Sequence, residues 1–281
     1  VDNKSDAGEA TSGAIKLITK DKVVAIIGAA TSGNTVAQVE VAGKNKVPLI
    51  SPSGTSTTVT VTDKGKLNEF AFRTAFIDPF QGTVAANFAA NELKVKNVAI
   101  YADNSSDYAK GLAASFKKDF EAAGGKIVAQ ESYVAKDTDF RSTLTSLKSK
   151  NPDFIFIPGY YEEVGLIVKQ AREMGITVPL MGADGWDSPD IVDLAGADAL
   201  NNTYIITAYS SEDPDGKAKA FSDKFNEKYG EAPNSFHALG YDTVYLLKDA
   251  IERADSTDGT KIKEALEATD NLDLVTGLYS M

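Results

Sequence analysis

Residues 23–35 read Val23-Val24-Ala25-Ile26-Ile27-Gly28-Ala29-Ala30-Thr31-Ser32-Gly33-Asn34-Thr35. A continuous apolar run stops at a glycine, a hydroxyl-rich loop follows, and Val36, Val39 and Val41 then open an amphipathic helix. An apolar run of strand length with no polar alternation predicts a strand buried on both faces, which is the habit of parallel sheets covered by helices. The same reading applies at 47–50, 98–101, 126–134, 154–157, 178–181 and 204–207, giving seven predicted strands. Between them Leu112, Phe116 and Phe120 recur every fourth residue, as do Phe140 and Leu144. Val164, Ile167, Val168, Ala171 and Met174 follow the spacing of one helix face. Strands alternating with helices from end to end predict βαβ units and an α/β fold, with each apolar stripe covering a sheet.

The chain has 281 residues, a length that suits two lobes. Its 43% hydrophobic and 25% charged residues are those of an ordinary globular protein. Acidic residues outnumber basic ones by 40 to 29, a net charge of −11, so a nucleic-acid partner, which needs clustered Lys and Arg, is not expected. No apolar run approaches the ~18 residues that span a bilayer. The first residues, Val1-Asp2-Asn3-Lys4-Ser5-Asp6, lack the basic flank and apolar stretch of a signal peptide, so the chain is expected to be mature or trimmed material. The absence of Cys removes disulfides, thiolate metal sites and cysteine nucleophiles, and the single His237 leaves no histidine cluster for zinc. His237 itself is expected to be structural, lining the hinge side of Phe236. No cofactor or metal is expected.

In open α/β sheets ligands sit beyond the carboxyl ends of the strands. Five such ends carry polar or aromatic clusters: 29–35, 51–57, 103–108, 159–161 and 182–187. GxxxxGK[ST] is absent and 25–35 lacks GxGxxG spacing, so a nucleotide is poorly supported. Residues 103–107 begin like a calcium loop, but Tyr108 stands at the glycine position and Ala114 at the bidentate glutamate position. Thr31 to Thr35 precede a helix whose free N–H groups and positive end suit a compact anion, and Ser51 to Thr57 offer a second arc of hydroxyls. The same residues also suit plain helix capping and turn chemistry. Asp184, between Gly182 and Gly185, suits an ammonium group or a cap for a helix starting near Ser188. Tyr108, Tyr160, Tyr161 and Trp186 can cover an apolar ligand while keeping a polar edge. A carboxylate site, an ammonium site and an apolar wall together describe a free amino acid. The adjacent Glu162 and Glu163 point apart at a helix start and are expected to be a solvated pair rather than an acid–base couple.

The run KLITKDKVVAIIGAATSGNTVAQVEVAGKNKVPLISPSGTSTTVT, with FRTAFIDPFQG, DNSSDYAKGLAASFKKDFEAAGGKIV, DTDFRSTLTSLKSKNPDFIFIPGYYEEVGLIVKQAREMGI and PLMGADGW, resembles the branched-chain amino acid binding proteins of ABC importers. The likeness covers nearly the whole chain and is nearest to Gram-positive lipoprotein members of this type I periplasmic-binding family. It implies two Rossmann-like (flavodoxin-like) lobes with parallel central sheets joined by a hinge. Residues 1–77 would form the first part of the amino-terminal lobe, 78–208 the second lobe, and 209–281 the return to the first. The family's first strand and its final segment are expected to be missing, which would leave the first lobe's sheet without its centre. The resemblance implies that Ser32 and Thr55 hold a ligand carboxylate by their hydroxyls, helped by the backbone around Thr31 and Ala30, with Gly54 also among the ligand-binding residues. Ser53 would offer its carbonyl to the ammonium and Asp184 its carboxylate, one methylene shorter than the Glu of familiar members. Tyr108 and Tyr160 would close over the ligand, Phe236 would form an aromatic wall, and Trp186 would narrow the side-chain pocket. The implied partners are free leucine, isoleucine or valine and a membrane permease, at an extracytoplasmic location, either as a cell-surface lipoprotein or in a periplasm. A ligand-sensing receptor or regulator of the same fold, binding an amino acid or small amide, is the alternative; an enzyme is not expected.

Overall fold

The computed structural model describes residues 1–213 and 216–281. The chain divides into two compact units, one formed by Val1–Phe76 with Ala208–Met281 and the other by Ile77–Thr207. The segment 209–281, expected to return to the first lobe, includes Pro214 and Asp215, which lie outside the described residues.

The first unit begins with α1 (Ala7–Thr19), capped by the Asp6 side chain, then β1 (Ile26–Ile27), α2 (Ser32–Lys44), β2 (Leu49–Ser51) and β3 (Ala71–Arg73). The strands form a parallel sheet in the order β1-β2-β3, in register Ile26 with Leu49 and Leu49 with Ala71. The 23–27 run is therefore not the fully buried strand its composition predicts. Only Ile26 and Ile27 pair, and they do so with β2 alone; Val24 and Ile27 remain 37% and 42% exposed. An edge strand is held by hydrogen bonds along one side, so pairing ends where the neighbour ends. β3 lies outside the seven predicted strands because it is three residues long and carries an arginine, which is nevertheless buried.

The second unit contains α3 (Asp78–Asn87), β4 (Asn97–Asp103), α4 (Asp107–Ala122), β5 (Lys126–Tyr133), α5 (Arg141–Ser149), β6 (Phe154–Phe156), α6 (Tyr161–Glu173), β7 (Leu180–Met181), α7 (Asp190–Ala195) and β8 (Thr203–Tyr204). Its five strands are all parallel, in the order β5-β4-β6-β7-β8. The order reverses at β4, whose neighbours β5 and β6 lie on opposite sides, so the loops leaving β4 and β6 diverge and open a crevice between them. The predicted stripes form the core. Phe116 of α4 stacks on Phe120, Phe154 and Phe156, while Val164, Ile167, Val168 and Ala171 of α6 pack with Tyr101, Tyr133 and Phe140. Glu162 is exposed but Glu163 is buried and accepts the Lys136 N–H (2.7 Å), which corrects the expected solvated pair. Neighbouring helix positions point ~100° apart, so one of the two faces the protein.

The chain returns to the first unit through α8 (Gly216–Tyr229), α9 (Ser235–Ala254), α10 (Gly259–Glu267), β9 (Leu272–Asp273) and β10 (Leu278–Tyr279). Leu246 and Ala250 of α9 and Ile262 and Leu266 of α10 cover Ile50 and Phe72 of the sheet. His237 makes a reciprocal cap: its N–H donates to Asn234 Oδ1 (3.2 Å) and its Nδ1 accepts the Asn234 N–H (3.1 Å). Buried Asp242 accepts the N–H groups of Val275 and Thr276 (2.9 and 2.8 Å), tying the β9–β10 hairpin to α9. Among the described residues no helix is long and apolar enough to cross a membrane.

α3 and α4 meet at Gly82, where an added Cβ would overlap the Ser115 side chain and lie 2.8 Å from the Phe116 nitrogen. Gly82→Ala is expected to destabilise the protein by about 1–3 kcal/mol through overpacking, read as a lower thermal midpoint by circular dichroism.

Candidate functional site

In the first unit the loop after β1 runs into α2, and the loop after β2 lies beside it. Hydroxyls stitch the two loops together. Ser51 Oγ donates to the Ala29 carbonyl (2.7 Å) and accepts the Gly54 N–H (2.9 Å); Ser53 Oγ donates to the Ala30 carbonyl (2.8 Å). Thr35 Oγ1 lies 3.1 Å from Ser51 Oγ and 3.0 Å from the Ala29 carbonyl. Gly54 is required here because a Cβ would stand 2.6 Å from Ser51 Oγ. The guanidinium of Arg73 locks the second loop from behind, donating to the carbonyls of Gly54 and Ser56 (2.9 and 2.8 Å).

Two hydroxyls in this frame are set to donate. Ser32 Oγ is buried and accepts the Ser56 N–H (3.1 Å), so its own hydrogen is directed elsewhere. Thr55 is fully buried and its Oγ1 has no hydrogen-bond partner. An unsatisfied buried hydroxyl costs about 1–3 kcal/mol, and such a group in an otherwise satisfied network marks a place for a ligand atom. Thr31, the residue before α2, makes no side-chain cap, so the first N–H groups of the helix have no partner within it or from that side chain. Hydroxyl donors at the positive end of a helix suit an anion the size of a carboxylate. Ala30 is exposed and Thr31 half-buried in the same loop, while Phe236 stands half-buried in the first turn of α9.

In the second unit the loops leaving β4, β6 and β7 bring Tyr108, Tyr160 and Asp184 together. The Tyr108 and Tyr160 rings stack with centroids 5.0 Å apart. Tyr108 Oη donates to Asp184 Oδ1 (2.7 Å) and accepts the Gly185 N–H (2.9 Å). Gln81, on α3, completes the group: its Nε2 donates to Asp184 Oδ1 (2.9 Å) and its Oε1 accepts the Asp184 N–H (3.2 Å). Asp184 is thus a buried carboxylate held by neutral donors, without an ion pair to Lys, Arg or His among the described residues, and it does not cap the next helix. Burial pushes its carboxyl up to about 6, against the opposing pull of the Tyr108 and Gln81 donors and the local backbone N–H groups. Burial, and then the charge of Asp184, raise the Tyr108 phenol well above its usual range, so it stays protonated as a donor.

Trp186, expected to narrow a side-chain pocket, packs inside the second unit. The indole is 2% exposed, sits in the core cluster of the second unit, and donates Nε1–H to the Ile157 carbonyl (2.9 Å). Buried Trp needs a partner for its N–H, and a strand-end carbonyl supplies one. Gln81 is the residue that sequence reasoning missed. Its signal is a polar side chain on the same buried face of α3 as Gly82, Ala85 and Ala86.

A carboxyl raised by burial contributes stability below its unfolded value of 3.8, and that contribution is lost as pH rises through about 6. At neutral pH the ionised Asp184 therefore costs the fold about 3 kcal/mol. Asp184→Asn is expected to raise the thermal midpoint of the ligand-free protein at about pH 8, with the gap closing below about pH 4, as measured by scanning calorimetry.

A family model described as "Periplasmic binding protein" matches residues 1–281. A leucine-, isoleucine-, valine-, threonine- and alanine-binding protein of Pseudomonas aeruginosa is 31% identical over 267 residues, 95% of this chain and 69% of the relative. Among solved structures, the leucine-binding protein LivK of Thermotoga maritima superposes with a TM-score of 0.94 at 38% identity, covering 100% of this chain and 78% of the other. The branched-chain amino acid transporter substrate-binding protein LivJ of Streptococcus pneumoniae, solved in complex with isoleucine, gives 0.92 at 44% identity with the same coverages.

Proposed function

Because the chain belongs to the periplasmic binding protein family, we propose that it is an extracytoplasmic solute-binding protein that takes up a free branched-chain amino acid and hands it to the permease of an ABC importer. The observation that carries the ligand class is Asp184, a buried carboxylate with neutral donors and, among the described residues, no cationic side chain paired to it. A protein keeps such a charge buried where a cation from outside completes it. The α-ammonium of an amino acid is that cation. Its carboxylate suits the hydroxyls of Ser32 and Thr55 and the opening N–H groups of α2, with Ala30, Thr31, Ser53 and Gly54 shaping the loops that present them. Half-buried Tyr160, stacked on buried Tyr108, supplies a flat apolar surface with a polar edge, and Phe236 a second aromatic face. The sequence relative that binds leucine, isoleucine, valine, threonine and alanine, and the neighbour solved with isoleucine, support an aliphatic side chain.

No step of catalysis enters this reading. The groups described donate and accept hydrogen bonds, and none of them is a nucleophile activated by a neighbouring base. We place the protein outside the cytoplasm, either anchored as a lipoprotein or in a periplasm, as its family works there.

Calorimetric titration with free amino acids is expected to show leucine, isoleucine or valine binding. Ser32→Ala and Thr55→Ala should each weaken binding by about ten- to a hundredfold, the range of one hydrogen bond to a charged group. Leucinamide, which lacks the carboxylate, should bind more weakly than leucine and lose little further in those variants. No heat with any free amino acid would sink the reading.

Ionised Asp184 is the form that pairs with an ammonium, so affinity is expected to be flat above about pH 7 and to fall about tenfold per unit below about pH 6. A titration series in pH checks this; a profile that stays flat down to about pH 4 would remove Asp184 from the site.

A further inference from the structure

Gln81 lies on the buried face of α3, fully covered, and both ends of its amide are used on one residue: Nε2 on the Asp184 carboxylate and Oε1 on the Asp184 N–H. That pairing fixes the amide's orientation, since a flipped amide would set two acceptors and two donors against each other. The side chain cannot easily back away, because the next residue, Gly82, seats α3 directly on α4. α4 in turn supplies Tyr108, whose hydroxyl donates to the same oxygen, Oδ1. Two side-chain donors therefore converge on Oδ1 and none on Oδ2.

We propose that Gln81 is a positioning residue for ligand binding: it holds Asp184 with Oδ1 saturated by the protein and Oδ2 presented to the ligand's ammonium. The inference rests on the reading of Asp184 as the ammonium partner. Without a fixed carboxylate the charge would meet the ligand in several rotamers, and ordering it would subtract from binding. Gln81 also acts on the charge. Burial raises the Asp184 carboxyl to about 6, and Gln81 is among the groups that oppose it, with Tyr108 and the N–H groups of Asp184 and Gly185. The other titratable groups nearby are Asp78 on α3 and Tyr160, both of which act on Tyr108. Among the described residues none of the Lys, Arg or His side chains forms an ion pair with it, so losing the Gln81 donor should leave the carboxyl easier to protonate.

The test uses Gln81→Met, which keeps the length of the side chain and removes both hydrogen bonds, in the full chain. Titration of the Asp184 carboxyl by carbon NMR without ligand should show a midpoint about one pH unit higher than in the parent protein, and calorimetry with L-leucine should show about tenfold weaker binding near pH 6 with a smaller loss near pH 8. Equal loss at every pH with an unmoved Asp184 titration would mean that Gln81 only fills space, and the inference falls. Gln81→Glu, which has no donor when ionised and adds a like charge, should move the midpoint further up, and it decides the matter if the Met variant does not melt cooperatively. Asp184→Asn separates the two levels. If it binds leucine as the parent does, the ammonium reading falls and this inference with it; if it loses leucine while Gln81→Met leaves both profiles unchanged, only this inference falls.

Discussion

In a parallel sheet every strand runs the same way, so the segments that leave the strands' carboxyl ends all emerge along one edge. In the first unit that edge collects the hydroxyls of the loops after β1 and β2. In the second it collects Tyr108 after β4, Tyr160 after β6 and Asp184 after β7, and the reversal of strand order at β4 opens the space in which the two tyrosine rings stack. The apolar stripes of α4 and α6 matter to function because they hold the sheet that fixes these exits.

The groups collected there are not at rest. Among the described residues Thr55 Oγ1 is buried without a partner, and Asp184 carries a charge that water no longer solvates and no cationic side chain neutralises. Each of these costs folding free energy, and each could be relieved from outside, by an acceptor for the hydroxyl and by a cation for the carboxylate, which is the ground of the function we propose. The surrounding network keeps the cost from being relieved internally. Arg73 and the serines pin the first unit's loops, and Gln81 and Tyr108 occupy one oxygen of Asp184 with neutral donors, which steadies the charge without cancelling it. A lysine in place of either donor would satisfy the carboxylate and close it to an ammonium.

Much of this is legible along the chain, because it depends on local pattern. The stripes of α4, α5 and α6 are core, and all seven predicted strands overlap observed ones that are parallel members of the two sheets. The run at 23–27 pairs over Ile26 and Ile27 alone, at a sheet edge, and leaves Val24 and Ile27 part-exposed, a fact about neighbours that composition cannot carry. The burial of Glu163 and Trp186 escapes the sequence for a related reason. A side chain's surroundings depend on which way its backbone turns, and each of these faces inward to a specific backbone partner, the Lys136 N–H and the Ile157 carbonyl. His237 was rightly expected to be structural, but its work is capping α9, which needs only Asn234 three residues earlier.

The sequence by itself determined the α/β class, the strand exits, the hydroxyl loops and Asp184 as a charge of interest, since each follows from residues adjacent or periodic along the chain. The tertiary structure alone decided that Ser32 accepts from Ser56, that Thr55 is left unsatisfied, and that Asp184 is clamped by Gln81 from 103 residues away. The physical reason is burial. Whether a polar group is buried, and what it then bonds to, is set by elements distant in sequence, and burial gives an ordinary hydroxyl or carboxylate the unbalanced free energy that a ligand can relieve.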